Sequence, residues 1–381
     1  MNKKLDLILV CGSFDYGLSV SGNYILYRIL KKIPNLNFKV MYWHGNTLPE
    51  SRHNFDPSDF LCEHDVLNNL PEHKILLTCG NDLSKQQFLD IYKKHQSKHL
   101  LTLMTHWPYS NTLEGDFSAY PELDGDNYLT GDLVKERLDL YKQIDTSIIC
   151  HSSYSQRVHN ISGLRELPSH VIPLPFDEID TLESTHLKSQ HKTILWGTTQ
   201  PQQFRKGKSL FEQILRILYK KCSNPNEIKI KTVGPPLEIN TDFEVEYKGQ
   251  IENRAVLSPI YRDSSVFALT TLADAGPMMA TESLKNETPL VAFDAGVQSD
   301  MVDDGKNGYI INLRYGWENL THNGERYRSL QINNSDIESF ADKLYEILYN
   351  KNYHMDLDYV KEFNSEEVVT KACADLFKSI K

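Results

Sequence analysis

The sequence predicts an α/β protein of two Rossmann-like, doubly wound domains with a cleft between them. Apolar runs of strand length alternate with amphipathic helical segments, which is the pattern of parallel sheets covered by helices. This alternation of strands and helices starts at two places in the chain, each marked by a continuous apolar strand, at Leu5–Cys11 and at Thr193–Gly197. A length of 381 residues accommodates two domains of ordinary size.

The first domain is predicted to span residues 1–175 and to end at the apolar segment Val171–Pro175. Residues 176–191, which are acidic and contain His, are interpreted as a linker. A periodic helix starts near Asn23. The further strands of this domain are predicted at Phe38–Trp43, Lys74–Cys79, Leu100–Thr105 and Thr146–His151, and its further helices at Gln86–His95 and Leu133–Ile144.

The second domain is predicted to span residues 192–355. Its further strands are predicted at Ile228–Val233, Val245–Gly249, Ser265–Thr270 and Leu290–Phe293, and its helices at Leu210–Lys220, at Leu257–Tyr261 and around Glu282. Apolar residues recur at helical spacing from Ile337 to Leu348, which indicates a helix that packs on the core.

The charge, the cysteine pattern and the N-terminal sequence indicate which classes of partner and which cellular compartment to expect. A net charge of −10 argues against binding nucleic acid or a membrane surface by charge alone. The six cysteines are scattered, which suits a reducing compartment and shows no zinc signature. The apolar run near the N-terminus is too short to span a membrane and reads as a buried strand rather than a secretory signal. We expect a soluble cytoplasmic protein, and leave open a peripheral contact with the inner face of the membrane.

The stretch from Asp274 to Gly296 predicts a loop, a short helix carrying Glu282, a turn and a buried strand. A helix start is an anion site, because its first N–H groups have no intrahelical partner. Asp274 and Glu282 lie eight positions apart, where they could hold hydroxyl groups above and below that start. We interpret the stretch as a seat for a nucleotide sugar, and the alternative is an ordinary helix-opening loop. The N–H groups that would point at the anion belong to Ala275, Gly276, Met278 and Met279.

Two cations, Arg205 and Lys206, precede Gly207 at the start of the Leu210–Lys220 helix. An arginine fork and a lysine point charge beside a helix N-terminus fit a diphosphate. The alternative is a solvated basic turn. After the first strand, the loop GSFDYGLSVSGNY either lets backbone approach a phosphate or only needs positive φ angles. It does not spell the GxGxxG fingerprint of dinucleotide binding.

His106 follows a predicted strand, at the edge where α/β sheets bind ligands, so it is a candidate to face substrate. A lone histidine is also often structural. Asp124-Gly125-Asp126 spells a DxD motif, which can bind a metal ion. Because it falls in a long polar segment and not at a strand end, we assign no metal ligand to it.

Taken in order, the motifs of the second domain resemble the retaining family 4 glycosyltransferases of the GT-B fold, in particular those that build bacterial polysaccharides. The resemblance covers nearly all of residues 190–312, extends loosely to Ser21-Gly22, and includes the final segment Tyr359–Phe377. It implies that residues 356–381 form a helix crossing back to the first domain, which is the acceptor side, and that the second domain is the donor side. The motifs are Lys206-Gly207 before a helix, a glycine after each of two strands, two acids eight apart before TPLVAFDAG, Asp303-Asp304-Gly305 and Asn307-Gly308-Tyr309.

The resemblance also implies roles for single residues. Lys206 and Arg205 would neutralise the donor diphosphate, which Gly22 would approach from the first domain. Glu282 would hold the ribose hydroxyls, and Asp274 stands where the family has a glutamate that contacts the donor sugar. His106 resembles the family's post-strand histidine, so that Asp274, Lys206 and His106 are the candidate catalytic residues.

Three positions depart from the family pattern. Asp274 is one methylene shorter than glutamate, and Thr198 stands where many members carry a basic residue. Glu287 replaces the usual glycine before Thr-Pro, so we expect this helix end to close differently.

We therefore expect an enzyme that moves a sugar from a UDP- or GDP-linked donor to a glycan or lipid-linked acceptor with retention of anomeric configuration. The cations and the helix start could stabilise the leaving diphosphate, so no metal ion or cofactor is expected. The resemblance implies a front-face route without an enzymic nucleophile. The alternatives are an epimerase or phosphorylase of the same fold, a non-catalytic nucleotide-sugar-binding homologue, and a transferase that modifies nucleic acid or protein.

Overall fold

The computed structural model describes residues 4–11, 26–42, 56–61, 71–78, 99–103, 139–161, 166–175, 192–199, 201–202, 206–251, 253–272, 277–312, 332–350 and 353–380. The chain divides into two compact units. The described residues up to Pro175, together with those from Glu366 onward, form the first unit, and those from residue 192 to Ser365 form the second.

The first unit is built on a seven-stranded parallel sheet in the order β3-β2-β1-β4-β5-β6-β7. Residues 7–10 of β1 are fully buried, as expected for a central parallel strand that is covered on both faces. The strands are β1 Leu5–Cys11, β2 Phe38–Tyr42, β3 Phe60–Leu61, β4 His73–Thr78, β5 His99–Leu103, β6 Thr146–Cys150 and β7 Ser169–Val171. The helical segments are α1 (26–32), α2 (139–143), α3 Ser153–Ile161 and, at the end of the chain, α10 Glu366–Ser379.

The second unit is built on a six-stranded parallel sheet in the order β10-β9-β8-β11-β12-β13. Its strands are β8 Lys192–Gly197, β9 Ile228–Val233, β10 Glu244–Tyr247, β11 Val266–Leu269, β12 Leu290–Phe293 and β13 Gly308–Ile311. Its helices are α4 Lys208–Lys221, α5 Arg254–Arg262, α6 Met278–Lys285, α7 Gln298–Met301, α8 Asn334–Tyr349 and α9 Asp358–Asn364.

The core of the second unit lies between its sheet and the buried faces of α4 and α8. Trp196 of β8 stacks on Phe211 of α4 with ring centroids 5.4 Å apart, and Phe293 of β12 meets Phe340 of α8 at 4.9 Å. The prediction of a core helix from Ile337 to Leu348 is confirmed, because α8 contains this stretch and its periodic apolar residues are buried.

The predicted α/β class with two parallel sheets is confirmed. The predicted strands that fall in the described residues are present, with ends shifted by two residues at most. The strands β3, β7 and β13 and the helices α3 and α7 were not predicted. The apolar segment Val171–Pro175, which was expected to close the first domain, overlaps β7 at Val171 alone. The predicted helix at Gln86–His95 and the start of the one at Leu133–Ile144 lie outside the described residues.

None of the helices that the structure describes is both long enough and apolar enough to cross a lipid bilayer.

Candidate functional site

The second sheet has a topological switch point between β8 and β11. The chain lays down β8, β9 and β10 in one direction and then returns to place β11 on the other side of β8. In open α/β sheets, ligands bind beyond the carboxyl ends of the strands at such a point. The turn at Lys206-Gly207 follows β8, and α6 follows β11, so these two predicted parts of the site belong to the two loops of the switch point.

The two loops are in direct contact. The Thr270 hydroxyl, just past β11, donates a hydrogen bond to the main-chain oxygen of Lys206 at 3.2 Å. Gly207 has φ 72° and is the residue before α4, and no side chain in the described part of the structure caps this helix start. A Cβ atom at Gly207 would lie 2.0 Å from the carbonyl oxygen of Thr270. The close approach of the loops therefore requires glycine at this position.

The side chain of Trp196 holds the Thr270 hydroxyl that makes this contact. The indole Nε1 of Trp196 donates to the hydroxyl of Thr270 at 2.9 Å, while its ring stacks on Phe211. Neither Trp196 nor Thr270 was among the predicted site residues. The available signal was the pair Thr270-Thr271, two hydroxyl side chains directly after an apolar strand at the edge where ligands bind.

The side chain of Lys206 is buried, since the residue is only 6% exposed. Lysine is rarely buried, because removing an ammonium group from water is costly unless a partner compensates it. The interpretation of this position as a solvated turn therefore does not describe Lys206.

Helix α6 begins at Met278, directly after Pro277, and no described side chain caps this end. Its start lies next to the end of β8, because a Cβ atom at Gly197 would come within 2.7 Å of the Met279 methyl carbon. The macrodipole of α6 makes this end positive. Lys206 and the start of α6 thus bring positive potential to the same edge of the sheet.

Glu282 lies in α6 and is half-buried. The hydroxyl of Tyr261, in α5, donates to Oε2 of Glu282 at 3.2 Å. Tyr261 is fully buried. Burial first, and the nearby carboxylate second, raise the pKa of Tyr261 well above its usual value, so this hydroxyl stays protonated and donates. The tyrosine was not predicted to belong to the site.

The end of α6 corrects one expectation. The N–H of Thr288 donates to the carbonyl of Ser283, and the N–H of Glu287 donates to that of Leu284, both at 3.0 Å. This is the Schellman pattern that usually carries glycine at the left-handed position. Glu287 occupies that position with φ 54°. The expectation that the helix closes differently was wrong, because the glutamate adopts the conformation of the glycine it replaces.

The loop after β9 completes this edge of the sheet. Gly234 has φ 136°, and a Cβ atom there would lie 2.1 Å from the carbonyl oxygen of Thr198. Its N–H donates to the carbonyl of Gly249 at 2.9 Å. Thr198 is itself buried. The glycine predicted after this strand is therefore needed for close contact between neighbouring loops.

Several predicted residues lie outside the described part of the chain, and their roles stay predictions. These are Gly22, His106, Arg205, Asp274, Ala275 and Gly276, together with Asp124 and Asp126 of the DxD motif. Among the residues that the structure describes, no three His, Cys, Asp or Glu side chains are grouped to hold a metal ion. The expectation of a metal-independent reaction is untested.

Comparison with protein families finds one match in this part of the chain. Residues 192–350, from the start of β8 to the end of α8, match the family described as "Glycosyl transferases group 1". No curated protein matches the sequence at a significant level.

Solved structures share the fold over a wider span. Sucrose-phosphate synthase from Thermosynechococcus elongatus superposes with a TM-score of 0.67 and 11% identity, covering 99% of each chain. An α,α-trehalose-phosphate synthase (UDP-forming) from Burkholderia xenovorans gives 0.61 and 12% identity, covering 98% of each chain. A mutant of S. aureus TarM in complex with fondaparinux, alpha-GlcNAc-glycerol and UDP gives 0.53 and 16% identity. That match covers 80% of the present chain, which spans only 55% of the TarM chain.

Proposed function

Residues 192–350 belong to the group 1 glycosyltransferases and the chain has the GT-B fold, and from this premise we propose that the protein transfers a sugar from a nucleotide-diphosphate donor to an acceptor. The observation that carries the proposal is the contact between Thr270 and Lys206. It joins the two loops of the switch point, so that a buried lysine and a helix N-terminus face one edge of the sheet.

The diphosphate of the donor is the group that this edge suits best. Lys206 supplies a full positive charge, and the start of α6, which no described side chain caps, supplies N–H groups and a favourable dipole. Arg205, the neighbour of Lys206 in sequence, would add a fork for the phosphate oxygens, and by the family resemblance the backbone at Gly22 would also approach the diphosphate. Ala275, Gly276, Met278 and Met279 would supply the N–H groups.

The remaining roles follow the family resemblance. Glu282 would accept hydrogen bonds from the ribose hydroxyls, and Asp274 would contact the donor sugar. His106 would face the substrate near the reacting carbon. The acceptor would be a glycan or a lipid-linked sugar.

The proposed reaction retains the configuration at the anomeric carbon. The bond between that carbon and the diphosphate oxygen breaks, and a bond to the acceptor oxygen forms on the same face. The proton of the acceptor hydroxyl passes to the departing diphosphate. The cationic edge would stabilise the charge that develops on this leaving group, and the proposal assigns that task to Lys206, Arg205 and the α6 start without a metal ion.

A uridine donor is the first choice. The TarM structure holds UDP, and the Burkholderia xenovorans synthase is described as UDP-forming. UDP at a hundred times its dissociation constant should stabilise the folded protein by about 2.7 kcal/mol. A thermal-shift panel of UDP, GDP, ADP, CMP and dTDP checks this, and no response to any of them at millimolar concentration would contradict the proposal.

The catalytic test uses Lys206→Ala and Glu282→Ala. Each variant should lower acceptor-dependent UDP release about a hundredfold or more, because a group that stabilises transition-state charge or positions the donor is lost. The matched control is Lys221→Ala, which removes a surface lysine of α4 that pairs with Asp342, and it should keep full activity.

Near-normal turnover in both site variants would overturn the assignment. The alternatives give different results in the same assay. A phosphorylase needs orthophosphate for turnover, an epimerase converts the donor without releasing UDP, and a binding protein shows a thermal shift without turnover over any acceptor panel.

A further inference from the structure

Glu282 has a dedicated hydrogen-bond donor in the core of the second unit. Tyr261, in the last turn of α5, is fully buried and donates its hydroxyl to Oε2 of Glu282. The tyrosine ring meets Phe267 of β11 edge to face, with centroids 5.7 Å apart and planes at 70°. The surrounding core therefore fixes the direction from which the hydroxyl reaches the carboxylate.

The backbone of Tyr261 is tied to α6 at a second place. The Thr288 hydroxyl donates to the carbonyl of Tyr261 at 2.6 Å. The Ser283 hydroxyl donates in turn to the carbonyl of Thr288 at 2.8 Å, and Ser283 is the neighbour of Glu282 in α6. Because Thr288 and Ser283 are also buried, the separation of tyrosine and glutamate is set by the packing of two helices, not by two mobile side chains.

We infer that Tyr261 is a positioning residue that holds one oxygen of Glu282 and thereby fixes the orientation in which the carboxylate meets the ribose of the donor. The inference rests on the proposed function, and it adds a determinant of specificity. A carboxylate that is already held in one orientation binds ribose hydroxyls more tightly than a mobile carboxylate does. The mobile carboxylate loses rotamer entropy on binding, and this loss lowers the affinity. Tyr261 thereby sets the preference for ribose over 2′-deoxyribose.

The test compares the affinities of UDP and 2′-deoxy-UDP for the full chain by titration calorimetry. Wild-type protein is expected to bind UDP about tenfold or more tightly than 2′-deoxy-UDP, because the deoxy compound lacks a hydroxyl that donates to the carboxylate. Tyr261→Phe keeps the ring and removes only the hydroxyl. It should bind UDP about tenfold more weakly and 2′-deoxy-UDP almost as before.

A matched control comes from the same unit. The Tyr309 hydroxyl also donates to a carboxylate, that of Glu346 in α8, in a pair that is not part of the switch point. Tyr309→Phe should keep the preference for UDP. Glu282→Gln should lower the preference as Tyr261→Phe does, and combining the two substitutions should lower it no further, since both act through one carboxylate.

Two results would overturn the inference while leaving the proposed function standing. One is a Tyr261→Phe variant that keeps the wild-type preference. The other is equal weakening of both nucleotides, which would mean that the hydroxyl only supports the fold. If wild-type protein binds neither UDP nor GDP, the proposed function itself fails and the role of Tyr261 falls with it.

Discussion

Gly207 shows how a single residue without a side chain holds the candidate site together. It takes a left-handed conformation and admits the carbonyl of Thr270 where a Cβ atom would stand. Gly249 has almost the same φ, 73°, but nothing lies within 4 Å of the Cβ position there. Substituting Gly249 therefore tests the cost of the left-handed backbone alone, whereas substituting Gly207 tests that cost together with a steric clash.

Gly207→Ala should lower the free energy of unfolding by at least about 2 kcal/mol, because it adds a clash to the cost of a left-handed alanine. Gly249→Ala should cost only about 1 kcal/mol, which is the conformational part. Urea denaturation of both variants measures the difference. Equal losses in the two variants would show that the loops after β8 and β11 are free to separate.

Single residues also mark the limit of what the sequence predicts about the site. Lys206 and Gly207 were identifiable because a basic pair and a glycine stand next to a helix start. Trp196, Thr270 and Tyr261 were not, because their hydrogen-bond partners are distant in sequence: Trp196 and Thr270 are 74 positions apart, and Tyr261 and Glu282 are 21 apart. Such pairs arise from tertiary packing and leave no local pattern.

At the scale of elements, the end of α6 joins local strain to the candidate site. The Schellman hydrogen bonds place Glu287 in a left-handed conformation that disfavours residues with a Cβ atom. The turn leads directly into the buried strand β12 and orients Thr288, whose hydroxyl meets Tyr261. The strained backbone at Glu287 therefore lies in a turn that connects α6 to α5 through the hydrogen bond of Thr288.

Glu287→Gly should raise the free energy of unfolding by about 0.5 to 1 kcal/mol, because relief of the left-handed strain exceeds the entropy cost of glycine. Lys285→Gly, two residues earlier in ordinary helical conformation, is the control and should lower it by about 1 kcal/mol. Thermal unfolding of the two variants checks the opposite signs. Destabilisation by Glu287→Gly would mean that contacts of the glutamate side chain outweigh the strain.

Elements differ in how well the sequence predicts them. Central parallel strands such as β1 and β12 are buried on both faces and read as continuous apolar runs. The strand β3 at the edge of the first sheet has only two residues, Phe60 and Leu61, which is too short for any periodicity. In α3, which the sequence did not predict, polar residues are buried, among them Ser155 and His159, and these obscure the apolar stripe of the helix.

At the scale of the whole molecule, the last helix belongs to the first unit. Glu366, at the start of α10, forms ion pairs with Arg28 and Lys32 of α1. Further along α10, Val369, Cys373 and Phe377 line an apolar pocket with residues of α1 and with the segment after β7. The first unit is thus completed by residues that follow the second unit in sequence.

Ending the chain after Ser365 should strongly destabilise the first unit. Four buried side chains of α10 would be lost (Val369, Cys373, Leu376 and Phe377), and burial of a large apolar side chain contributes about 1.5 to 3 kcal/mol, against about 5 to 15 kcal/mol for a whole domain. Hydrogen exchange followed by mass spectrometry should show protection lost in β1, β4 and β6 but kept in β8 and β12.

Glu366→Ala is the control for this truncation. It removes the ion pairs with Arg28 and Lys32 but keeps the helix, so it should lower the free energy of unfolding by no more than about 1 kcal/mol. Full protection of β1, β4 and β6 in the truncated chain would show that the first unit folds without α10.

The discontinuous first unit has a consequence for synthesis on the ribosome. Roughly 190 residues separate Pro175 from Glu366, and at about 5 to 20 residues per second their translation takes about 10 to 40 s. During that interval, the apolar surface destined for α10 is present without its cover, while the second unit can already close around its own sheet. The second unit therefore completes its fold before the first one, and protease resistance of the N-terminal strands should appear only after α10 has been translated.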